Sequence, residues 1–221
     1  METKNMIIIA VVVVIIAILG VVFATGMLNG DNNKNVVTTP FKTDFMEGSF
    51  VGKVKLVNDD EKFMHSYRDK NHSITYNIST VDDSESLMDI YELQGVTNPE
   101  ERSFNGNDWN IYFTQAIPGN DTNSSKDNET MNIIIAQSQG KKQGYLIYMI
   151  IDSNSDVNST MNAYGQSYTD YMKPLLESIK LKESDDVPKI YEQFGLTDDQ
   201  FKQQMDMIHD YQAGNMSALD G

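Results

Sequence analysis

The sequence predicts an α+β fold: a mostly antiparallel sheet of about seven strands with two packed helices, an N-terminal transmembrane helix and a C-terminal helical hairpin. Three observations support this prediction. An uncharged apolar run occupies residues 6–24, alternating or apolar segments separated by turn residues fill residues 48–182, and an acidic, helix-forming segment covers residues 183–221. A chain of 221 residues has room for one anchor, one compact domain and a short appendage.

The apolar run reads MIIIAVVVVIIAILGVVFA and carries no charged side chain. As an α-helix it would be about 28 Å long, close to the thickness of the hydrocarbon core of a bilayer. We therefore expect a transmembrane helix within residues 6–26, preceded by a cytoplasmic stub of residues 1–5. Lys4 precedes the run and the next base is Lys34, so the N-terminus is expected inside and the rest of the chain outside the cell membrane.

Two alternatives to a simple anchor stay open. The small residues Ala24-Thr25-Gly26 would permit cleavage after Gly26, as in a signal peptide, although the run is longer than a usual signal sequence. The anchor could also be a subunit contact in a membrane complex, but it lacks a Gly-x-x-x-Gly face. An uncleaved anchor is favoured.

Charge and composition exclude several classes of function. The net charge of −15 opposes a nucleic-acid partner, since phosphate contacts require clustered lysine and arginine. Residues 183–221 are especially acidic, with nine acidic and two basic residues. The absence of cysteine removes thiolate catalysis and thiolate zinc sites. No nucleotide-binding loop, serine-nucleophile motif or zinc-protease motif occurs, so no catalytic residue and no cofactor other than a candidate Ca²⁺ is predicted.

The extracytoplasmic domain is predicted to cover residues 48–182. Residues 27–47 are polar and broken by Pro40, and we expect them to form a spacer above the membrane. An alternating strand follows at residues 49–57. The further predicted strands are residues 62–68, 72–80, 102–104, 108–117, 131–139 and 145–152. The dipeptide Asn105-Gly106 is a strong hairpin signal, and the apolar runs of the last two strands are typical of central strands that are covered on both faces.

Two helices are predicted to pack on this sheet. The first starts with acidic residues after Val81 and ends at Gly95. The second begins near Thr160, and Pro174 should kink it or start a second segment. Its apolar stripe consists of Met161, Tyr164, Tyr168, Met172, Leu175 and Ile179.

Residues 183–221 are interpreted as an acidic helical appendage. One short helix would end at Gly195, and Thr197 to Gln200 form a capping box for a second helix. The apolar face of that helix contains Phe201, Met205, Ile208 and Tyr211. The two helices would either bind a partner, or pack on the domain or form a partly frayed tail, and the second interpretation is favoured. Their acidity opposes a DNA-binding helix-turn-helix.

This order of strands, helix, hairpins and long helix, with the short ending Ser178-Ile-Lys-Leu-Lys182, resembles the layout of PsbP-like domains. The anchor, the acidity and the asparagine-rich composition are also similar to those of small, membrane-anchored surface proteins of methanogenic archaea. Neither family supplies a set of functional residues that can be placed on this sequence.

One loop has the spacing of a cation site. Asp152, Asn154, Asp156 and Asn158 offer oxygen ligands at alternating positions, as Ca²⁺ requires. The match to an EF-hand loop fails where glycine and glutamate are needed, because Val157 and Ala163 occupy those positions. A polar turn that caps the next helix is the favoured interpretation. A second polar loop, residues 119–129, could also bind a cation, although a long connection is the simpler interpretation.

Seven N-x-S/T sequons are candidate glycosylation sites and agree with an outside location. They begin at Asn71, Asn77, Asn120, Asn123, Asn128, Asn158 and Asn215. His65 and His72 lie on adjacent predicted strands and could face each other, but no third metal ligand is evident. Trp109 is expected to pack along its strand, with an exposed binding role as the alternative.

The sequence thus favours a single-pass protein held in the lipid bilayer through residues 6–26, with a non-catalytic extracytoplasmic domain. That domain would bind a protein or cell-wall partner or assist an assembly. The alternative is an extracytoplasmic calcium-dependent binding protein or enzyme that uses the loop 152–158.

Overall fold

The computed structural model describes residues 37–116, 130–158 and 160–214. The predicted stub (residues 1–5) and transmembrane helix (residues 6–26) lie outside these ranges. Within them, no helix is both long and apolar enough to cross a membrane.

The described chain forms an α+β domain with ten strands and four helices. The strands are β1 (Thr38–Lys42), β2 (Met46–Val51), β3 (Val54–Glu61), β4 (Met64–Asp69), β5 (Ile74–Val81), β6 (Glu100–Phe104), β7 (Asn107–Ala116), β8 (Met131–Gln139), β9 (Gly144–Ile151) and β10 (Lys180–Leu181). The helices are α1 (Ser84–Glu92), α2 (a π-helical part, Ser167–Met172, continued by an α-helical part, Lys173–Ser178), α3 (Ile190–Gln193) and α4 (Asp198–Gln212).

Seven strands form one antiparallel sheet in the order β3-β4-β5-β9-β8-β7-β6, which we call the large sheet. The predicted antiparallel seven-stranded sheet is therefore confirmed. Strands β8 and β9 are central, and every residue of β9 is buried, as their continuous apolar runs indicated. The hairpin β6–β7 turns at Asn105 (φ 52°) and Gly106 (φ 77°), the left-handed pair that a two-residue hairpin turn requires.

The first part of the domain differs from the prediction. Residues 38–47, expected in the spacer, include β1 and the start of β2. Strand β2 pairs with β1 on one side and with β10 on the other, in a separate three-stranded sheet. Pro40 is accommodated because β1 is an edge strand. The single strand predicted at residues 49–57 is two strands, β2 and β3, because Gly52 adopts a φ of 98° and turns the chain from the small sheet into the large one.

The small sheet and α2 cover one face of the large sheet and enclose an aromatic core. Phe50 of β2 lies at the centre of this core, with its ring 4.6 Å from Phe41 and 4.7 Å from Tyr76. Trp109 of β7 is 1% exposed and belongs to the same core, as its packing interpretation predicted. Burial of such large rings supplies much of the stabilisation of this face.

The long helix predicted from Thr160 is wrong in its first part. Residues 160–165 are irregular, and Tyr164 of the predicted apolar stripe is 89% exposed. The side-chain oxygen of Asn158 accepts hydrogen bonds from both the backbone and the hydroxyl of Thr160, and the Asn162 side chain accepts one from the Tyr164 N–H. These local bonds compete with helical ones. Helix α2 begins only at Ser167, and its α-helical part starts beside Pro174, as predicted.

The opposite face of the large sheet is covered by α1, α3 and α4. The capping box at Thr197 and Gln200 is present, and Phe201, Met205 and Ile208 of the predicted apolar face are buried in this second core. Tyr211 is 52% exposed. The described part of the appendage therefore packs on the domain, as favoured, and completes its core.

Candidate functional site

The large sheet has two distinct ends along its strands. The carbonyl of Val37, the first described residue, accepts a hydrogen bond from Gly52 at 2.7 Å, and Gly52 abuts Asp69. Asp69 ends β4 and pairs with Val54 and Ile74. We call this the proximal end, because the chain arrives there from its N-terminal segment. Strand β5 then runs to the opposite, distal end.

At the proximal end, the turn 69–73 lies against the loop 152–158, and together they form what we call the turn–loop cluster. The guanidinium of Arg68 binds the carboxylate of Asp152 and donates to the Thr75 hydroxyl at 2.6 Å. His72 Nδ1 lies 3.0 Å from Asp156 Oδ1, and the Ser155 hydroxyl donates to the His72 carbonyl. The loop is thus held to β4 by the Arg68–Asp152 ion pair and to the turn by hydrogen bonds at His72.

The four candidate calcium ligands do not share one centre in this arrangement. Asp152 is engaged by Arg68 and Asp156 by His72, while Asn158 caps the turn at Thr160. Across the described ranges, no three His, Asp or Glu side chains converge as a metal-ligand group. The geometry is that of a polar structural loop. The expectation that this loop caps the next helix is wrong, because α2 begins only at Ser167 and no side chain caps its start. Calcium binding stays a prediction.

Asp69 is the buried carboxyl of the cluster. One oxygen accepts hydrogen bonds from the N–H groups of Asn71 (2.9 Å) and His72 (3.4 Å), whereas the other has no hydrogen-bond partner. Burial raises the pKa of Asp69, and the two backbone hydrogen bonds oppose the rise. Nearby, Tyr76 is fully buried with its hydroxyl unpartnered, and burial raises the pKa of Tyr171 to about 12.

Sequence reasoning did not single out Asp69. The available signal was its position directly before the turn residues Lys70-Asn71, since aspartate readily accepts hydrogen bonds from the backbone two or three residues later. The missing information was burial, because Gly52 and Tyr171 come from distant parts of the chain.

Replacing Asp69 with asparagine is expected to stabilise the domain at pH 7 to 8. The folded-state pKa is raised, so the protonated carboxyl is favoured by folding, and this contribution is present at low pH and is lost as the pH rises through the folded pKa. Asparagine keeps the acceptor for the turn and carries no charge. The measurement is the melting temperature of Asp69→Asn and of the unchanged protein between pH 4 and 8.

The melting temperatures of Asp69→Asn and of the unchanged protein should differ most at pH 8 and become equal near pH 4. The exposed Asp44→Asn variant is the matched control and should follow the unchanged protein at every pH. A loss of stability in Asp69→Asn that persists at pH 8 would contradict the assignment of a destabilising buried charge.

A groove opens at the distal end, between the start of α1 and the appendage. Its volume is about 380 Å³. Its rim is charged, its floor is apolar, and its lining includes Asp82, Ser86, Lys189, Phe201, Lys202 and Asp206. Lys189 lies 3.3 Å from Asp82, and Lys202 lies 2.6 Å from Asp198. The groove is shallow and mixed in character, with most rim charges already paired.

The remaining predicted residues are dispersed. His65 packs against the Phe45 ring at 5.7 Å and does not face His72, while His209 lies 3.1 Å from Asp89 on α1. Among the sequons, Asn71 and Asn158 are exposed and Asn77 is buried. The sequons at Asn120, Asn123, Asn128 and Asn215, and the polar loop 119–129, lie outside the described residues.

Comparison with known proteins adds no functional assignment. The sequence matches no known protein-family model and no curated protein. A crystal structure of a protein from Bacteroides thetaiotaomicron VPI-5482 is similar over 62% of this chain and 46% of its own length, with 5% identity and a TM-score of 0.38. This chain thus spans less than half of that protein. The resemblances to PsbP-like domains and to archaeal surface proteins stay predictions.

Proposed function

We propose that the chain is a single-pass, membrane-anchored extracytoplasmic protein whose domain binds a protein or cell-wall component without catalysing a reaction. The N-terminal apolar run would hold it in the membrane, and the distal groove would be its docking surface. The observation that carries this proposal is that Val37, the first described residue, and the groove lie at opposite ends of the large sheet.

The chain arrives at one end of the large sheet, and the groove opens at the other. Val37 and Asp69 lie at the proximal end, and β5 runs from Ile74 to Val81 before the chain reaches Asp82 in the groove. Eight residues of strand span about 25 Å. A domain tethered through Val37 would therefore present the groove away from the membrane, where a partner has access.

The chemistry of the groove suits docking better than proton transfer. Asp82 accepts the Ile190 N–H at 2.8 Å and pairs with Lys189, and Asp83 caps α1 through the Ser86 N–H. These carboxylates are held by structural bonds. The apolar Phe201 below a charged rim provides the combination of contact area and polar edge that protein interfaces use.

The location can be tested in intact cells, because the chain has no cysteine. A Lys202→Cys variant at the groove rim should react with a membrane-impermeant maleimide before lysis. A Thr3→Cys variant in the predicted stub should react only after lysis. The reverse pattern would overturn the proposed orientation.

Partner binding is tested by a photo-cross-linking side chain introduced at Lys202, with Lys70 in the proximal turn as the matched exposed control. A defined protein or wall fragment cross-linked from position 202 and absent from position 70 is expected. Identical products from both positions, or none from position 202, would refute the groove as the docking surface.

A further inference from the structure

We infer that the folded domain carries N-linked glycans on Asn71 and Asn158 and none on Asn77, so that these two sugars lie at the proximal end. This goes beyond partner binding, but it rests on the extracytoplasmic location in the proposed function. The three sequons are alike in sequence, and the structure separates them by position.

Asn71 is exposed to solvent. It lies in the tight turn between β4 and β5, and its side chain is exposed. Its backbone N–H is held by Asp69 at 2.9 Å, which fixes the turn without using the side-chain amide. A large glycan on Nδ2 would extend into solvent and displace no core residue.

Asn158 is also exposed, at the end of the loop 152–158. Its side-chain oxygen accepts hydrogen bonds from the Thr160 N–H (3.2 Å) and hydroxyl (3.0 Å). Its Nδ2, the atom that takes the sugar, lies outside these two bonds. The side chain is therefore positioned by its carbonyl, and the nitrogen remains accessible.

Asn77 has the same sequon but no room for a sugar. It lies in β5 between β4 and β9, opposite Ser66 and Tyr148, and its exposure is 0%. A glycan there would have to part the layers of the domain, since a packed interior has no space for a group of that size.

Glycosylation requires an activated sugar, which we assign to the class of lipid-phosphate-linked oligosaccharides. The amide Nδ2 attacks the anomeric carbon, and a new C–N bond forms as the C–O bond to the phosphate breaks. The lipid phosphate leaves with the bonding electrons, and the amide loses one proton. The modification is covalent, bulky and solubilising.

The two sites lie on the same part of the molecule. Asn71 is next to His72 in the chain, and Asn158 lies two residues after Asp156. His72 Nδ1 and Asp156 Oδ1 are 3.0 Å apart. Both glycans would therefore project from the turn–loop cluster at the proximal end. The groove at the distal end would stay free of both.

The test is peptide mass spectrometry on the full-length protein purified from membranes of its own organism. Chymotrypsin cleaves after Tyr76 and so separates Asn71 from Asn77. The peptide with Asn71 and the peptide with Asn158 should each carry a sugar mass. Asn71→Gln should remove the first mass only, and Asn158→Gln should remove the second only. The Asn77 peptide should be bare, and Ser79→Ala, which removes that sequon, should leave the mass of the other peptides unchanged.

A bare Asn71 or Asn158, or a sugar on Asn77, overturns the inference. If Lys202→Cys is labelled from outside and these peptides are nevertheless bare, the inference fails alone and the proposed location stands. If Lys202→Cys is protected in intact cells, the proposed location is wrong, and the inference of glycosylation, which depends on it, is wrong as well.

Discussion

A chain truncated after Lys182 is expected not to fold. The appendage contributes Ile190, Phe201, Met205 and Ile208 to the second core, each at most 6% exposed. Burial of one such side chain stabilises a protein by roughly 1.5–3 kcal/mol, so the four together contribute roughly 6–12 kcal/mol. A domain of this size has a net stability of only about 5–15 kcal/mol. Circular dichroism and gel filtration of the truncated chain provide the measurement.

Truncation after Gly214 is the matched control, because it keeps all of α4 and should still give a cooperative melting transition. If the chain that ends at Lys182 melts cooperatively at the temperature of the full chain, the appendage is no part of the core. The same result would support the alternative that the appendage is an independent partner-binding element.

Trp109→Ala is expected to destabilise the domain by about 3–5 kcal/mol, the usual cost of removing a large aromatic side chain from a packed core. Trp109 is 1% exposed in the aromatic core between the large sheet and its cover. The measurement is the free energy of unfolding in urea, with partner binding assayed on the remaining folded protein.

Tyr164→Ala is the control for the loss of an aromatic ring, because Tyr164 is 89% exposed and its removal should change stability by at most about 0.5 kcal/mol. An unchanged stability in Trp109→Ala combined with loss of partner binding would instead support the binding role that the sequence left open for Trp109.

The large sheet could be predicted because its signals are local. Asn105-Gly106 permits only a few turn geometries, and the apolar run of β9 has one stable environment, between two covered faces. Acidic residues at the start of α1 and the capping box of α4 likewise mark helix starts within a few residues of sequence.

The small sheet could not be predicted because its partners are remote. Strand β2 pairs with β10, more than 130 residues later, and nothing within residues 38–47 indicates that partner. The false helix before Ser167 has the opposite cause. An apolar period was present, but the hydrogen bonds of Asn158 and Asn162 stabilise an irregular chain instead.

Of the two candidate sites, the sequence predicted part of the turn–loop cluster and none of the groove. The loop 152–158 was recognised by its oxygen-rich spacing, but spacing does not reveal that Arg68 and His72 meet its two carboxylates. Those pairs join residues 84 positions apart. The groove was not predicted at all, since it exists only where the appendage meets the start of α1.

We propose that the membrane-anchored domain presents its groove away from the bilayer. The direct measurement places a fluorophore on Lys70→Cys or Lys202→Cys in the full-length chain, reconstituted in vesicles that contain an acceptor-labelled lipid. Energy transfer should be clearly stronger from position 70 at the proximal end than from position 202, about 25 Å further along the sheet direction. Equal transfer from both positions, or stronger transfer from position 202, would contradict the account.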